Sequence, residues 1–233
     1  MTVLRKARAG RLLPAGLLIG SVLFLNMLAP SPGQARTYWY EERHGDRITT
    51  NCLTVSVDGP ERIAVTSNRR GRDVLVTDLK GIKTLRCFSQ DRARGRSFKT
   101  VNRDGVLEIE IVENSRTNRI TTGPLQEVWI QDVSLVPLLN FLPAAAPLKQ
   151  CAVHESTGKF YYLNLQVDAE ETLIIAGREV RTVRVVQTAR GVPRSLWSAR
   201  YWYRKSDSLL VREQAVFGGP GTPETTSVLV KEE

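Results

Sequence analysis

Apolar and polar residues alternate with a period of two in one short run after another, and that rhythm commits most of the chain to β-strands. In residues 105–112, Leu107, Ile109 and Ile111 fall on one side and Glu108 and Glu110 on the other, because successive side chains of a strand point to opposite faces. Residues 160–167 place Tyr161, Leu163, Leu165 and Val167 on one face. Residues 196–204 align Trp197, Ala199, Tyr201 and Tyr203 against Ser198, Arg200, Trp202 and Arg204. Residues 208–217 align Leu209, Val211, Ala215 and Phe217 against Arg212 and Gln214. β-branched residues fill 180–186, and a last strand is expected over 225–230. Asp58-Gly59-Pro60, Arg70-Gly71-Arg72, Asp104-Gly105 and Ala176-Gly177 supply hairpin breaks between such runs. The simplest connection is an antiparallel meander. No repeat, low-complexity tract or long linker divides residues 36–233, which predicts a single all-β domain.

Residues 131–143, from Gln131 to Pro143, break the rhythm and predict one short helix. Asp132 stands as its N-cap, with Pro137 near the first turn and Pro143 at the stop. Apolar residues lie nearly all round it, so burial on more than one side is expected. A helix of that kind plugs the concave face of a sheet or connects elements beneath a loop.

The first 35 residues read as a cleaved export signal. Arg5, Lys6, Arg8 and Arg11 make a basic start, an apolar run extends from Leu12 to Leu28, and Gly33 and Ala35 offer small residues before Arg36. The alternative is an uncleaved membrane anchor, since the run approaches spanning length. Cleavage places residues 36–233 in the periplasm, or outside the cell, and leaves no membrane span. At 42% hydrophobic and 24% charged residues the composition is that of a globular protein, and with one long apolar run it excludes a multi-span membrane protein. Losing residues 1–35 removes four basic residues and no acidic one, so 29 basic against 24 acidic residues leave a net charge of +5. That balance suits an anionic envelope surface, and export removes nucleic acid as a partner.

Cys52, Cys87 and Cys151 allow three pairings in an oxidising compartment. In a meander Cys52 and Cys87 lie several strands apart, so Cys87–Cys151 is the expected bridge, with three unpaired thiols as the alternative. No Cys-x-x-Cys spacing exists and only His44 and His154 could assist, so no metal is expected.

The stretch from Gln131 to Leu229 carries three motifs: the segment Gln131 to Leu139, the run Gly158-Lys159-Phe160-Tyr161-Tyr162-Leu163, and Ala199-Arg200-Tyr201-Trp202-Tyr203 continuing through Leu210-Val211-Arg212-Glu213. Together they resemble an uncharacterised family of exported β proteins, domain-of-unknown-function family 3108. Val133 stands where that family has Pro, Ala176-Gly177-Arg178 where it has a Pro-x-Gly turn, and Leu210 where Pro precedes Val-Arg. The build is similar to that of lipoprotein-carrier proteins. The resemblance therefore implies a strongly curved antiparallel sheet, a half-barrel or open barrel wrapped on a helix. It implies no activity, because the family has none to carry over and fold does not supply function.

Candidate chemistry is sparse. No Gly-x-Ser-x-Gly elbow exists, and His154 beside Glu155 and Ser156 is adjacency in sequence rather than a triad. Glu108 and Glu110 share a strand face and read as a solvated exterior. Neither a catalytic residue nor a cofactor is expected. Arg69, Arg70 and Arg72, with Arg94 and Arg96, sit at hairpin breaks and are expected to meet anions from one end of the sheet, or else to keep its turns soluble. Trp197, Tyr201, Tyr203, Tyr161 and Leu138 are expected to line an apolar groove in the concave face; ordinary core is the alternative. The expected role is non-catalytic binding of a lipid or lipoprotein-like component. A protein-interaction module and a hydrolase of envelope glycans or lipids are the competing classes.

Overall fold

The structure, a computed structural model, describes residues 34–79, 83–143, 146–215 and 224–233. The expected signal peptide lies outside them except for its last two residues, and Phe217 lies outside them as well. Fifteen strands run in order: β1 (Ala35–His44), β2 (Arg47–Asp58), β3 (Glu61–Ser67), β4 (Gly71–Asp78), β5 (Thr84–Asp91), β6 (Arg96–Arg103), β7 (Val106–Glu113), β8 (Arg116–Thr121), β9 (Val128–Trp129), β10 (Leu148–Val153), β11 (Phe160–Ile175), β12 (Arg178–Ala189), β13 (Ser198–Arg204), β14 (Leu210–Ala215) and β15 (Thr225–Glu232). They form one sheet in the order β8-β7-β6-β5-β4-β3-β2-β1-β15-β14-β13-β12-β11-β10-β9. Every pairing is antiparallel except the short parallel contact of β9 with β10. The first eight strands are a hairpin meander, as expected. The last strand closes back on the first, pairing His44 with Thr225 and Tyr40 with Leu229, so β1 and β15 lie side by side in the middle of the sheet.

The sheet is strongly curved and does not close into a barrel. Its two wings roll toward each other. Gln131, just past β9, receives a side-chain hydrogen bond from the Val153 N–H (3.1 Å), donates one to the Val153 carbonyl (2.8 Å), and meets Thr84 on β5 through its backbone N–H. The turn between β10 and β11 packs on β7 and β8 at Gly158, whose φ is +70°. A Cβ there would overlap the Ile120 side chain. Gly71 has a different role. It needs no left-handed backbone, but a Cβ would overlap the Gln90 carbonyl of β5, so glycine permits the close approach of β4.

Period two sorts the strand residues as the alternation predicts. Ala199, Tyr201 and Tyr203 face inward from β13, Val211 and Ala215 from β14, and Leu107, Ile109 and Ile111 from β7, all in one buried cluster. Trp202 points outward, yet it too is buried, beneath the Arg212 guanidinium 4.9 Å from its ring and with its indole N–H donating to Glu171 at 2.7 Å. The long β11–β12 hairpin therefore covers part of the outer face as well.

The expected helix over 131–143 is formed as two single 3-10 turns, Val133–Leu135 and Leu138–Asn140, with Pro137 between them. Pro137 lacks the N–H that a continuous helix needs and restricts Val136 to extended backbone. The cap itself is as expected: Asp132 accepts from the Ser134 backbone N–H at 2.9 Å. The segment fills the hollow of the sheet with Val133, Leu135, Val136 and Leu138, all buried. Burying a side chain of that size contributes about 1.5–3 kcal/mol. Within the segment the Val133 carbonyl accepts only from the Val136 N–H, at 3.4 Å, and the Leu135 carbonyl has no backbone donor among the described residues, so the sheet adds donors to both. The Tyr203 hydroxyl donates to the Val133 carbonyl (2.6 Å), and Arg62 donates to the Leu135 carbonyl (2.5 Å). Among the described residues no helix is long and apolar enough to cross a membrane.

The expected Cys87–Cys151 bridge is not formed. Cys52, Cys87 and Cys151 are all free thiols. Strand register gives each its own neighbours: Cys87 lies opposite Leu75 and Thr100, Cys151 opposite Trp129 and Tyr162 with its thiol toward the Glu127 carbonyl. Burial raises both thiols, Cys151 to about 11, which keeps them protonated and inert.

The buried Tyr203–Val133 bond sets one expectation. Tyr203→Phe leaves the carbonyl only its longer bond from the Val136 N–H (3.4 Å) and lowers stability by about 0.5–1.5 kcal/mol in urea unfolding with an unchanged m-value. A loss below about 0.5 kcal/mol would show that the plug does not depend on that bond.

Candidate functional site

An antiparallel sheet puts alternate turns at opposite ends, and one end of this sheet is open beside the plug. There a cleft of about 500 Å³ runs along the Asp132 cap. One wall comes from the C-terminal half of the sheet and carries Tyr161, Leu163, Trp197 and Tyr201. The N-terminal half contributes Arg94, from the β5–β6 turn, and Arg96, the first residue of β6, and the β10–β11 turn contributes His154, Glu155 and Ser156 beside Tyr161. The volume falls within the ~300–1,000 Å³ usual for small-ligand pockets. A smaller hollow of about 220 Å³ shares Asp132, Ser134 and Glu213 with it and continues to Glu42, Asn51, Asn68 and Asp73.

The floor of this region is acidic. Asp73 accepts from the Thr66 hydroxyl (3.1 Å), Glu155 from the Ser89 hydroxyl (3.1 Å), Glu42 from the Asn51 amide (2.8 Å), and Asp132 from the Ser134 hydroxyl (2.6 Å). Glu213 has no hydrogen-bond donor among the described residues. On the inner face it stands between Tyr201 of β13 and Ser227 of β15, and Ser227 in turn lies opposite Glu42. Burial, then the charges of Asp132 and Glu42, raises its carboxyl from 4.5 to about 8. Burial raises Glu155 as well, with the Asp73 charge adding to it. At neutral pH Glu213 is therefore largely a neutral acid, able to donate a hydrogen bond or to ionise beside a cation.

The residues expected to form an apolar groove divide into two groups. Tyr203 and Leu138 are core: each is almost wholly buried, Tyr203 bonded to the plug and Leu138 part of it. The plug fills the hollow they were expected to line. Tyr161, Trp197 and Tyr201 do come together, at the cleft; Tyr161 is half exposed and stacks edge-on against His154 at 5.7 Å. Arg69, Arg70, Arg94 and Arg96 gather at the open end, where the Arg92 backbone N–H donates to the Arg70 carbonyl and ties two turns together. Arg72, on β4, is exposed and lies across from Gln90 of β5. Glu108 and Glu110 lie outside, bridged to Arg103 and Arg119. The Ser156 hydroxyl is 2.9 Å from His154 Nδ1, and the Ser156 N–H donates to the same nitrogen, so the pair closes its own turn. Glu213 and Asp73 were not singled out from sequence. For Glu213 a signal existed: the alternation that turns Val211 and Ala215 inward also turns Glu213 inward, a carboxylate on an apolar face.

No known family model and no curated protein matches the sequence. Among solved structures the chain is similar to the hypothetical lipoprotein YmcC from Escherichia coli, at 14% identity, 84% coverage of this chain, 83% of the other and a TM-score of 0.36. It is similar to a candidate exported protein with a YmcC-like fold from Bacteroides fragilis, at 13% identity, 88% and 98% coverage and a TM-score of 0.36. A candidate outer membrane lipoprotein-sorting domain from Vibrio parahaemolyticus follows at 10% identity, 85% and 84% coverage and a TM-score of 0.22. At TM-scores below 0.5 none of these likenesses establishes a function for this chain.

The raised Glu213 carboxyl makes stability depend on pH. The folded state holds a proton that the unfolded chain releases above 4.5, so this contribution is complete below that pH and is lost as pH rises toward about 8. Glu213→Gln, which stays neutral, is expected to raise the melting temperature at pH 8 by about 2–4 °C and to change it far less at pH 5. An equal gain at both values would remove the titration as its cause.

Proposed function

We propose that the chain is a non-catalytic exported protein of the cell envelope that binds an amphipathic component, a lipid or lipoprotein-like molecule, in the cleft beside Asp132. The supporting observation is the cleft's division into two chemistries: Tyr161, Leu163, Trp197 and Tyr201 from the C-terminal half of the sheet, Arg94 and Arg96 from the N-terminal half. An acyl chain laid on the aromatic wall gains about 0.8 kcal/mol per buried methylene. Three or four methylenes then outweigh a surface ion pair, worth about 1 kcal/mol at most. The arginines orient a headgroup while the aromatic wall supplies the affinity. The ligand sits at the end of the sheet, because the plug already occupies its hollow.

Native mass spectrometry of the protein purified from its own envelope fraction tests the class of ligand: a co-purifying lipid or lipopeptide supports the reading, and a stoichiometric polypeptide alone replaces it with an interaction module. Titration with a fluorescent lysophospholipid then tests the wall. Tyr161→Ala together with Trp197→Ala is expected to weaken binding at least about tenfold, as truncation of aromatic anchors does, and Arg94→Ser with Arg96→Ser less than about threefold. Equal losses from the two pairs would mean an electrostatic mode and no apolar seat.

A further inference from the structure

The meander sorts charge between the two ends of the sheet. At the open end lie the turns at 45–46, 68–70, 92–95, 114–115, 154–159 and 190–197. With Glu224, which precedes β15 at the same end, they hold seven basic residues (Arg69, Arg70, Arg92, Arg94, Lys159, Arg190 and Arg194) against three acidic ones, Asp46, Glu155 and Glu224. Glu155 lines the cleft and accepts from Ser89. The described residues of the turns at the opposite end, 59–60, 79, 83, 104–105, 176–177 and 205–209, hold two basic residues, Lys83 and Lys205, against two acidic ones, Asp104 and Asp207. The positive balance of the mature chain is thus concentrated on one face of the molecule.

Part of that charge is paired, Arg94 with Asp91, Arg190 with Glu127 and Arg194 with Asp168. Arg69, Arg70 and Arg92 are exposed and form no ion pair among the described residues, and the Arg92–Arg70 backbone bond (2.8 Å) holds them in one cluster. Beside it a hollow of about 650 Å³ is lined by Arg47, Arg69, Arg70, His44 and Ile48. The same end carries a second, independent feature. Ile48, Tyr161, Tyr162, Val192 and Leu196 are exposed there by between 42% and 52%, five of the nine large apolar side chains so exposed in the described residues. Tyr162 lies under the Arg190 guanidinium at 4.9 Å. Arginines that stand beside apolar and aromatic tips match the interface of a bilayer, where basic groups meet phosphate and the tips enter the acyl boundary. A soluble polyanion would leave those tips in water.

We infer that the open end docks on an anionic lipid surface, with Arg69, Arg70 and Arg92 against headgroup phosphates and Ile48, Val192 and Leu196 inserted between the headgroups. Docking stands whether or not the cleft takes a ligand. It adds an orientation, since the cleft opens on the same end and would face the lipid. Screening by salt weakens the arginine contribution, because the Debye length shrinks from about 10 Å at 0.1 M to about 3 Å at 1 M. The apolar contribution persists.

Co-sedimentation of residues 36–233 with vesicles of phosphatidylglycerol in phosphatidylcholine, against phosphatidylcholine alone, tests this at low and high salt. The protein is expected on the anionic vesicles and to be released by salt. Replacing Arg69, Arg70 and Arg92 by Ser is expected to lower the partition coefficient about a hundredfold, while replacing Lys83, Arg178 and Lys205 at the opposite end changes it within about twofold. Val192→Ser with Leu196→Ser is expected to weaken binding about tenfold without changing its salt dependence. Equal losses from the two basic sets would reduce the effect to net charge and overturn the docking face. Full binding by the Val192, Leu196 variant would overturn the bilayer as partner and leave a surface for polyanions. Lysophospholipid binding in the cleft is read separately, so loss of vesicle docking with an intact cleft, or the reverse, tells the two readings apart.

Discussion

An open sheet rolled on itself has an apolar inner face that water must not reach, and the segment from Val128 to Leu142 is what covers it. Four side chains of that segment, Val133, Leu135, Val136 and Leu138, are buried against strands from both halves of the sheet. A segment with only single 3-10 turns carries poorly paired carbonyls into the core, where an unpaired one costs about 1–3 kcal/mol. Tyr203 and Arg62 answer two of them from opposite halves of the sheet. The curvature and the plug therefore need each other: the sheet supplies the plug's Leu135 carbonyl with its donor and Val133 with its shorter one, and the sheet has no second layer without the plug.

This constraint also decides where function can sit. A hollow filled by apolar packing has no room for a passenger, so the accessible chemistry moves to the end where the plug enters and Asp132 caps it. There the strand ends bring an aromatic wall, an arginine turn and a group of carboxylates within one cleft. Glu213 is held in a state unlike that of any surface glutamate, because its neighbours on the inner face are a tyrosine and a serine and its nearest charges are of its own sign. An amphipathic ligand with its headgroup near the arginines and an anionic lipid surface beyond them would use the two halves of this end together.

Much of the architecture could be read along the chain. The alternation in 105–112, 160–167, 196–204 and 208–217 corresponds to β7, β11, β13 and β14, since a strand's period is a local property of its backbone. The buried segment after Gln131 and its Asp132 cap were legible for the same reason, and only its conformation differed, Pro137 dividing one helix into two turns. The cysteines were less tractable. Sequence distance says nothing about which side chains a register sets opposite each other, and Cys87 and Cys151 proved to have Thr100 and Tyr162 across from them. The aromatic set was half legible: a strand pattern shows that Tyr201 and Tyr203 share a face, but not that one lies at the rim of the plug and the other beneath it.

By itself the sequence determined strand content, hairpin order, the buried segment and the concentration of arginine in alternate turns, all consequences of side-chain period and turn chemistry acting over a few residues. The tertiary structure decided that the last strand pairs with the first, that the wings roll until Gly158 meets Ile120, and that the hollow is full while its end is open. Those outcomes depend on contacts between residues far apart in the chain, whose energies are set by shape and burial and leave no local trace in the order of the amino acids.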